Sequence, residues 1–346
     1  MAVEREIWEG DIVEKLYAEN PHLSLCVNAD QYVLAGKVVH IPQAGAAPDV
    51  VKNRSSLPAA VKKRTDTDIT YPLDEYTSDP VHISNAETIE PSYDKRMSVM
   101  ADTHMALNET VGVVTIRNWA PSGSARIIRT SGEAVAAHMP GATGMRKKFL
   151  KAELKKAQKQ MNKDNIPTSD RYAMFDADMM DQLTDSLTDS EYRDFSRAYD
   201  EKNGVVGKLF GFTILSRSYV LGYNGSAAIE PGGEGNSPDC AAVLCWHKNS
   251  VENALGQVKF FEDEGNPQYY GDIYSALVRM GDRIRREDQK GVVAIVQDLV
   301  TEAWKTGEEY KADAFVTNDG KTYVCVEDHT ASAAFATDAA KWEEIV

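Results

Sequence analysis

Chemistry needs particular side chains at particular spacings, and the first place to look is Asp176 and Asp178, which as Asp-Ala-Asp open like a calcium loop. Such a loop also needs a glycine at its sixth position and a closing glutamate. Both are missing, so no cation site is expected. Seven histidines, at positions 22, 40, 82, 104, 138, 247 and 329, do not cluster. Cys26, Cys240, Cys245 and Cys325 show neither a paired metal-ligand spacing nor a disulfide framework, and read as reduced, partly buried thiols. Carboxylate pairs are plentiful, but a chain with 53 acidic residues makes such neighbours by chance, and abundance alone does no acid-base work. There is no phosphate-cradling loop, no Gly-x-Ser-x-Gly, no His-Glu-x-x-His and no kinase signature. No catalytic, cofactor-binding or metal-binding residue is assigned, and an enzyme is not expected.

Three other sets of side chains are suited to binding. Lys52, Arg54, Lys62, Lys63 and Arg64 make a basic cluster fit for contact with another subunit. Arg146, Lys147, Lys148, Lys151, Lys155, Lys156, Lys159 and Lys163 fall on one face of a helix expected over residues 142–163, with Leu150, Leu154, Ala157 and Met161 on its apolar stripe. That basic face reads as solvated surface, or as a contact for nucleic acid or an acidic partner. Asp176, Asp178, Asp181, Asp185, Asp189, Glu191, Asp194, Asp200 and Glu201 supply an acidic complement within or between subunits. The third set is Trp304, Tyr310, Tyr323 and Trp342, rings that either stack on sugars or fill a small core.

The first basic cluster stands at the tip of an extended excursion over residues 36–90. Its outgoing limb carries Val38, Val39 and Ile41, and its return alternates through Ile69, Tyr71, Leu73, Val81 and Ile83, the period of a strand. Pro42, Pro72 and Pro80 cannot donate to a ladder, which predicts edge strands. At about 3.3 Å per residue a limb of some 24 residues reaches on the order of 80 Å, whereas a 200-residue globule has a radius of gyration of only ~16 Å. Such an arm overshoots its own domain and calls for a neighbouring subunit.

A helix is expected next, with Pro91, Ser92 and Asp94 as start signals and Met97, Met100, Ala101 and Met105 as its stripe; Gly112 and the run Val113-Val114-Thr115-Ile116 blur its end. His104 is expected to pack. Ahead of the excursion, Ile7, Ile12 and Leu16 suggest a short helix ended by Asn20-Pro21. Beyond Gly123 come a strand at 171–175, a helix through Met179, Met180 and Leu183, a strand at 211–215, a glycine-rich flexible loop over 226–238, and strands at 241–246 and 291–297. The last is expected to pair across 287–290 with the 273–285 stretch.

A chain of 346 residues, 42% hydrophobic and 26% charged, is ample for a sizeable core and reads as two domains. No apolar run approaches the ~20 residues of a membrane helix, and the N-terminus has no secretory pattern, so cytoplasmic synthesis is expected. A net charge of −15 opposes general nucleic-acid binding.

The order of these elements (N-terminal arm, two-limbed extended loop, long helix, then the region opening with Arg171-Tyr172-Ala173-Met174-Phe175 and reaching Gly211-Phe212-Thr213-Ile214) resembles the major capsid proteins of tailed bacteriophages, the Hong Kong 97 fold. The resemblance covers about residues 1–300 and rests on element order, not on one motif. It implies an α+β coat protein: N-terminal arm 1–35, extended loop 36–90, spine helix 91–118 with a peripheral domain 241–300, and an axial domain 119–240. It further implies hexamers and pentamers tiling an icosahedral virion shell around double-stranded DNA held without sequence specificity, assembled in the host bacterial cytoplasm. The short arm before Gly36 implies a separate scaffold or none. Portal and decoration proteins are the other implied partners, with no membrane.

Residues 301–346 read as a small all-β module. Asn318-Asp319-Gly320 between two strand-like runs is a hairpin signal. The spacing of Trp304, Tyr310, Tyr323 and Trp342 is similar to chitin-binding carbohydrate-binding modules, departing from them in Ala312-Asp313 where a glycine is expected after Tyr310. That resemblance implies surface glycans as partners. The opposing reading is a decoration or capsomer contact, and in either case the module is expected to be a separate bead. The alternative for the whole chain is a carbohydrate-binding adhesin or tail-associated virion protein.

Overall fold

The computed structural model describes residues 2–34, 38–43, 52–53, 67–84, 95–200, 204–229 and 238–345. The chain divides into two compact units. Met1–Leu16, Asn28–Leu107 and Asn253–Asp282 form the first, and Tyr17–Val27, Asn108–Glu252 and Arg283–Val346 the second.

In the first unit the N-terminal helix spans Ala2–Glu19 and buries Ile12 and Leu16, one helical turn apart. The limbs of the extended excursion pair as their alternation predicts: Val38–Gln43 runs antiparallel to Thr67–Pro72, with Val39 opposite Tyr71 and Ile41 opposite Ile69. The edge expectation holds only locally. Pro42 lies in the middle strand of three, but the third strand, Val33–Leu34, pairs only with Val38 and Val39, so the ladder asks no donor of Pro42 on that side. Val39, Leu73, Ala29 and Ala254 form the small core beneath, flanked by Tyr71. A long hairpin, Val251–Asn266 with Gly271–Ile284, forms a separate five-stranded sheet, in which its second strand also pairs with Asp74–Thr77 and Val81–Ser84.

This hairpin corrects the sequence reading twice. The strand Val251–Asn266 was not foreseen, because its outer half, rich in Glu, Asp, Lys and Asn, lacks β-branched residues. The 273–285 stretch pairs with it, and Val292–Val296 goes to the other unit. Burial explains the choice. Gly271–Ile284 is buried at alternate positions, as a one-faced strand must be, whereas all five residues of Val292–Val296 are buried, so that strand needs cover on both faces.

The second unit is built on a sheet with Cys240–His247, every residue buried, at its centre. Val292–Val296 flanks it antiparallel on one side and is itself parallel to Ile127–Arg129. On the other side lies Arg171–Phe175, which is parallel to Phe212–Ser216; Val205–Leu209 closes that edge. Leu154, Ala157, Met161, Met179, Leu183 and Phe195, from three helices, cover one face. Trp119, Ile116 and Val220 belong to the core on the other, where Trp119 Nε1 donates to the Glu252 carbonyl at 3.2 Å and Trp246 Nε1 to the Leu25 carbonyl at 3.0 Å.

The spine helix spans Lys95–Asn118, through Gly112 and the β-branched run. Glycine is required there: a Cβ at position 112 would come 2.0 Å from Asn20 Oδ1. Among the described residues the buried stripe is His104, Leu107, Asn108, Val111, Thr115 and Ile116, and Met105, expected on the stripe, is 58% exposed. Pro91, Ser92 and Asp94 and the side chains of Met97 and Met100 lie outside the described residues. So do residues 230–237; the loop expected over 226–238 begins instead as a strand, Ala227–Ile229, paired with Leu221–Asn224.

The basic helix is shorter than predicted. It spans Lys151–Lys163, and residues 145–147 form a strand paired with Ala134–Ala136. The Glu153 carboxylate takes the N–H of Leu150 at 2.8 Å, which fixes the start of the helix.

Candidate functional site

The C-terminal module is assembled from its turn outward. Asp319 and Gly320 adopt φ of 50° and 78°, the two left-handed conformations that join strands through a two-residue loop. Phe315–Asn318 and Lys321–Cys325 thereby pair antiparallel, with Trp342–Ile345 and Glu302–Ala303 added on either side. The four candidate rings separate into two pairs. Tyr310 and Trp342 are core, each 7% exposed, in a T-shaped contact at 5.2 Å. The Tyr310 hydroxyl accepts the Lys305 N–H at 2.8 Å. Trp304 and Tyr323 are half-buried and meet Phe335 at 5.7 and 4.7 Å. Phe335, unassigned from the sequence, is the hub of this face; its only sequence signal is an aromatic just before Trp342. His329 packs against both Tyr310 and Trp342, with ring centroids at 6.1 and 5.1 Å.

The module is not a separate bead. Arg146, expected on a solvated face, is fully buried, donating to the carbonyls of Thr143, Met145 and Asp239 while its guanidinium lies 4.9 Å from the Phe315 ring centroid. Val300 N–H donates to the Met145 carbonyl at 3.2 Å. Gly144, with φ of 75°, sits under Phe315, and a Cβ there would come 2.7 Å from that ring. Beside this junction is a cleft of about 570 Å³ lined by Met145, Val300, Glu302, Tyr310, Asp313 and Phe315.

The remaining basic residues of the predicted helix divide by position. Lys148 and Lys151 pair with Asp185 at 3.8 Å and Glu191 at 2.8 Å, and the Glu191 carboxyl, held by Lys151 and Thr188, is lowered to about 2. Lys155, Lys159 and Lys163 face outward. The acidic side is carried by two helices, Ala177–Asp185 and Asp189–Ser196. Asp176 caps the first, accepting the Met179 N–H at 2.6 Å, and burial pushes its carboxyl up to about 7. Of the extended-loop cluster, Lys52 is exposed, and Arg54, Lys62, Lys63 and Arg64 lie outside the described residues.

This architecture matches solved phage capsids. The capsid of the cyanophage P-SCSP1u is similar over 78% of this chain and 86% of its own, with a TM-score of 0.54 and 17% identity. The capsid of Ralstonia phage GP4 covers 81% of this chain and 89% of its own, with a TM-score of 0.57 and 10% identity. The head of Helicobacter pylori bacteriophage KHP40 gives 81% and 90%, with a TM-score of 0.57 and 12% identity. The chain has the fold of phage capsid proteins. To this capsid fold is joined the C-terminal module, where the model of carbohydrate-binding module family 5/12 matches residues 303–343. No curated protein matches the sequence. Among the described residues of the capsid fold, no helix is long and apolar enough to cross a membrane.

Proposed function

We propose that the chain is the major coat protein of a tailed phage, with a structural and not an enzymatic role. Its copies assemble into hexamers and pentamers of an icosahedral shell that encloses double-stranded DNA. The observation that carries this reading is the capsid fold with its paired arm, Val38–Gln43 against Thr67–Pro72, leading to the basic cluster at Lys52. Residues 36–90 act as the extended loop, lying over an adjacent subunit with Lys52, Arg54, Lys62, Lys63 and Arg64 as contacts. Residues 119–240 act as the axial domain around capsomer centres, and 91–118 with 241–300 as spine and peripheral domain. A separate scaffold, a portal and decoration proteins are the partners of such a shell. Negative-stain microscopy and light scattering on the purified chain, alone and with candidate scaffolds, test it. Closed shells or regular rings are expected, and a monomer under every condition rejects it.

The match over residues 303–343 supports a second role for the module, binding glycans at the virion surface. Trp304 and Tyr323, grouped round Phe335 and only half-buried, are the rings offered to a sugar, while Tyr310 and Trp342 serve the core. A glycan array with the full chain and with Trp304→Ala and Tyr323→Ala decides the matter. Binding that neither substitution weakens, or no binding at all, leaves the module as a structural appendage.

A further inference from the structure

The lysine helix lies over one edge of the sheet and the second acidic helix over the other, with all three helices covering the same face. Lys151–Lys163 contacts Val292–Val296 and Ile127–Arg129, at one end of the strand order, and Asp189–Ser196 contacts Val205–Leu209, at the other. Both apolar faces enter the same core, so their polar faces point outward. Along the lysine helix, Lys155, Lys159 and Lys163 recur every four residues and are exposed, a ridge about 12 Å long at 1.5 Å per residue. Together with Ala152 they line a shallow groove. Along Ala177–Asp185, Asp178, Asp181 and Asp185 are exposed at spacings of three and four, a ridge of about 10 Å. Among the described residues, intramolecular pairing joins the two sides through Lys151, at the start of its helix, with Glu191, and through Lys148, just before that helix, with Asp185, the last residue of Ala177–Asp185. Among the described residues, Lys155, Lys159 and Lys163 form no salt bridge, nor do Asp178 and Asp181.

We propose that the lysine ridge of one copy docks on the aspartate ridge of the next, a charged head-to-tail contact between axial regions. The occupant is a second copy because the two ridges match in length and oppose in sign. Two different patches on one molecule make a heterologous interface, which closes into a ring when the rotation permits. A net charge of −15 disfavours nucleic acid as the partner but does not disfavour a local pairing of opposite ridges. The contact rests on the coat reading above and gives it a register: copies join in one direction around the capsomer axis. Exposed pairs are individually weak, so the ridges orient and select copies while apolar contacts elsewhere hold them.

The test reverses each ridge. One variant carries Lys155→Glu, Lys159→Glu and Lys163→Glu, another Asp178→Lys, Asp181→Lys and Asp185→Lys, and a third carries all six. Circular dichroism checks that each folds, and native mass spectrometry with light scattering reads assembly against protein concentration. Each single-ridge variant should need about tenfold more protein or higher to assemble. The six-fold variant, and an equimolar mixture of the two single-ridge variants, should recover most of the loss, because opposite ridges again face each other. Wild-type assembly should also weaken near 1 M salt, where the screening length falls to about 3 Å. Single-ridge variants that assemble at wild-type concentration overturn the proposal even if the coat reading stands. So does a folded six-fold variant no better than the singles, or a lysine reversal that spares assembly and weakens only binding of a double-stranded DNA oligonucleotide. A wild-type chain that never oligomerises overturns the coat reading, and this contact with it.

Discussion

The guanidinium of Arg146 lies 4.9 Å from the ring centroid of Phe315, 169 residues later in the chain, and this contact ties the C-terminal module to the sheet of the second unit. Arg146 is fully buried and holds three backbone carbonyls on the same fork. It therefore organises the 143–146 segment and the seat of the module together. Phe315→Leu keeps an apolar side chain of similar bulk but removes the ring face. It should cost on the order of 1 kcal/mol, the range of a partly desolvated cation–π contact. Arg146→Ala strands three carbonyls and should cost about 2–4 kcal/mol. Hydrogen exchange should rise first at residues 143–146 and 299–303 in both; unchanged exchange there would mean the contact holds nothing.

Removing residues 301–346 should leave the capsid fold standing. Arg146 keeps its carbonyl partners and Val292–Val296 keeps both neighbouring strands, so only the Phe315 face is lost. A single cooperative melt lowered by a few degrees is expected. A loss of cooperativity would show that the module is part of the core.

Asp176 makes stability depend on pH near neutrality. Its carboxyl titrates at about 7 in the folded chain against 3.8 when unfolded, chiefly through burial. The folded state thus holds the proton more tightly. Its contribution to stability is full below about 3.8 and is lost as pH rises through 7, by an amount on the order of 4 kcal/mol at about 1.4 kcal/mol per unit. Asp176→Asn still caps the helix and does not titrate. Its melting temperature should change less than that of the wild type between pH 5 and pH 8. Parallel curves would place the titration elsewhere.

Deleting residues 48–64 shortens the extended loop without touching Val38–Gln43 or Thr67–Pro72. The variant should remain soluble and keep its helical signal by circular dichroism, yet form no shells under conditions where the full chain does. Normal shells would remove the basic cluster from assembly.

Local pattern determined much of this protein. The alternation of Val39, Ile41, Ile69 and Tyr71 named both limbs of the loop, and Asp319-Gly320 named a hairpin, because period and turn chemistry are properties of neighbouring residues. Ile12 and Leu16 announced the first helix, and Leu154, Ala157 and Met161 the stripe of the lysine helix. The order of these elements sufficed to suggest the capsid fold. Partnership was decided only in three dimensions. Val292–Val296 went to Cys240–His247 because a strand buried on both faces needs a central place, which no local period encodes. Val251–Asn266 is a strand despite its polar outer half, since it pairs along its hairpin with Gly271–Ile284, whose alternate burial a one-faced sheet supplies. Arg146 looks like a surface lysine's neighbour in the sequence. Carbonyls at 143, 145 and 239 and a ring at 315 made it a buried anchor, because the desolvation cost of a charge is offset by partners that only the fold brings together.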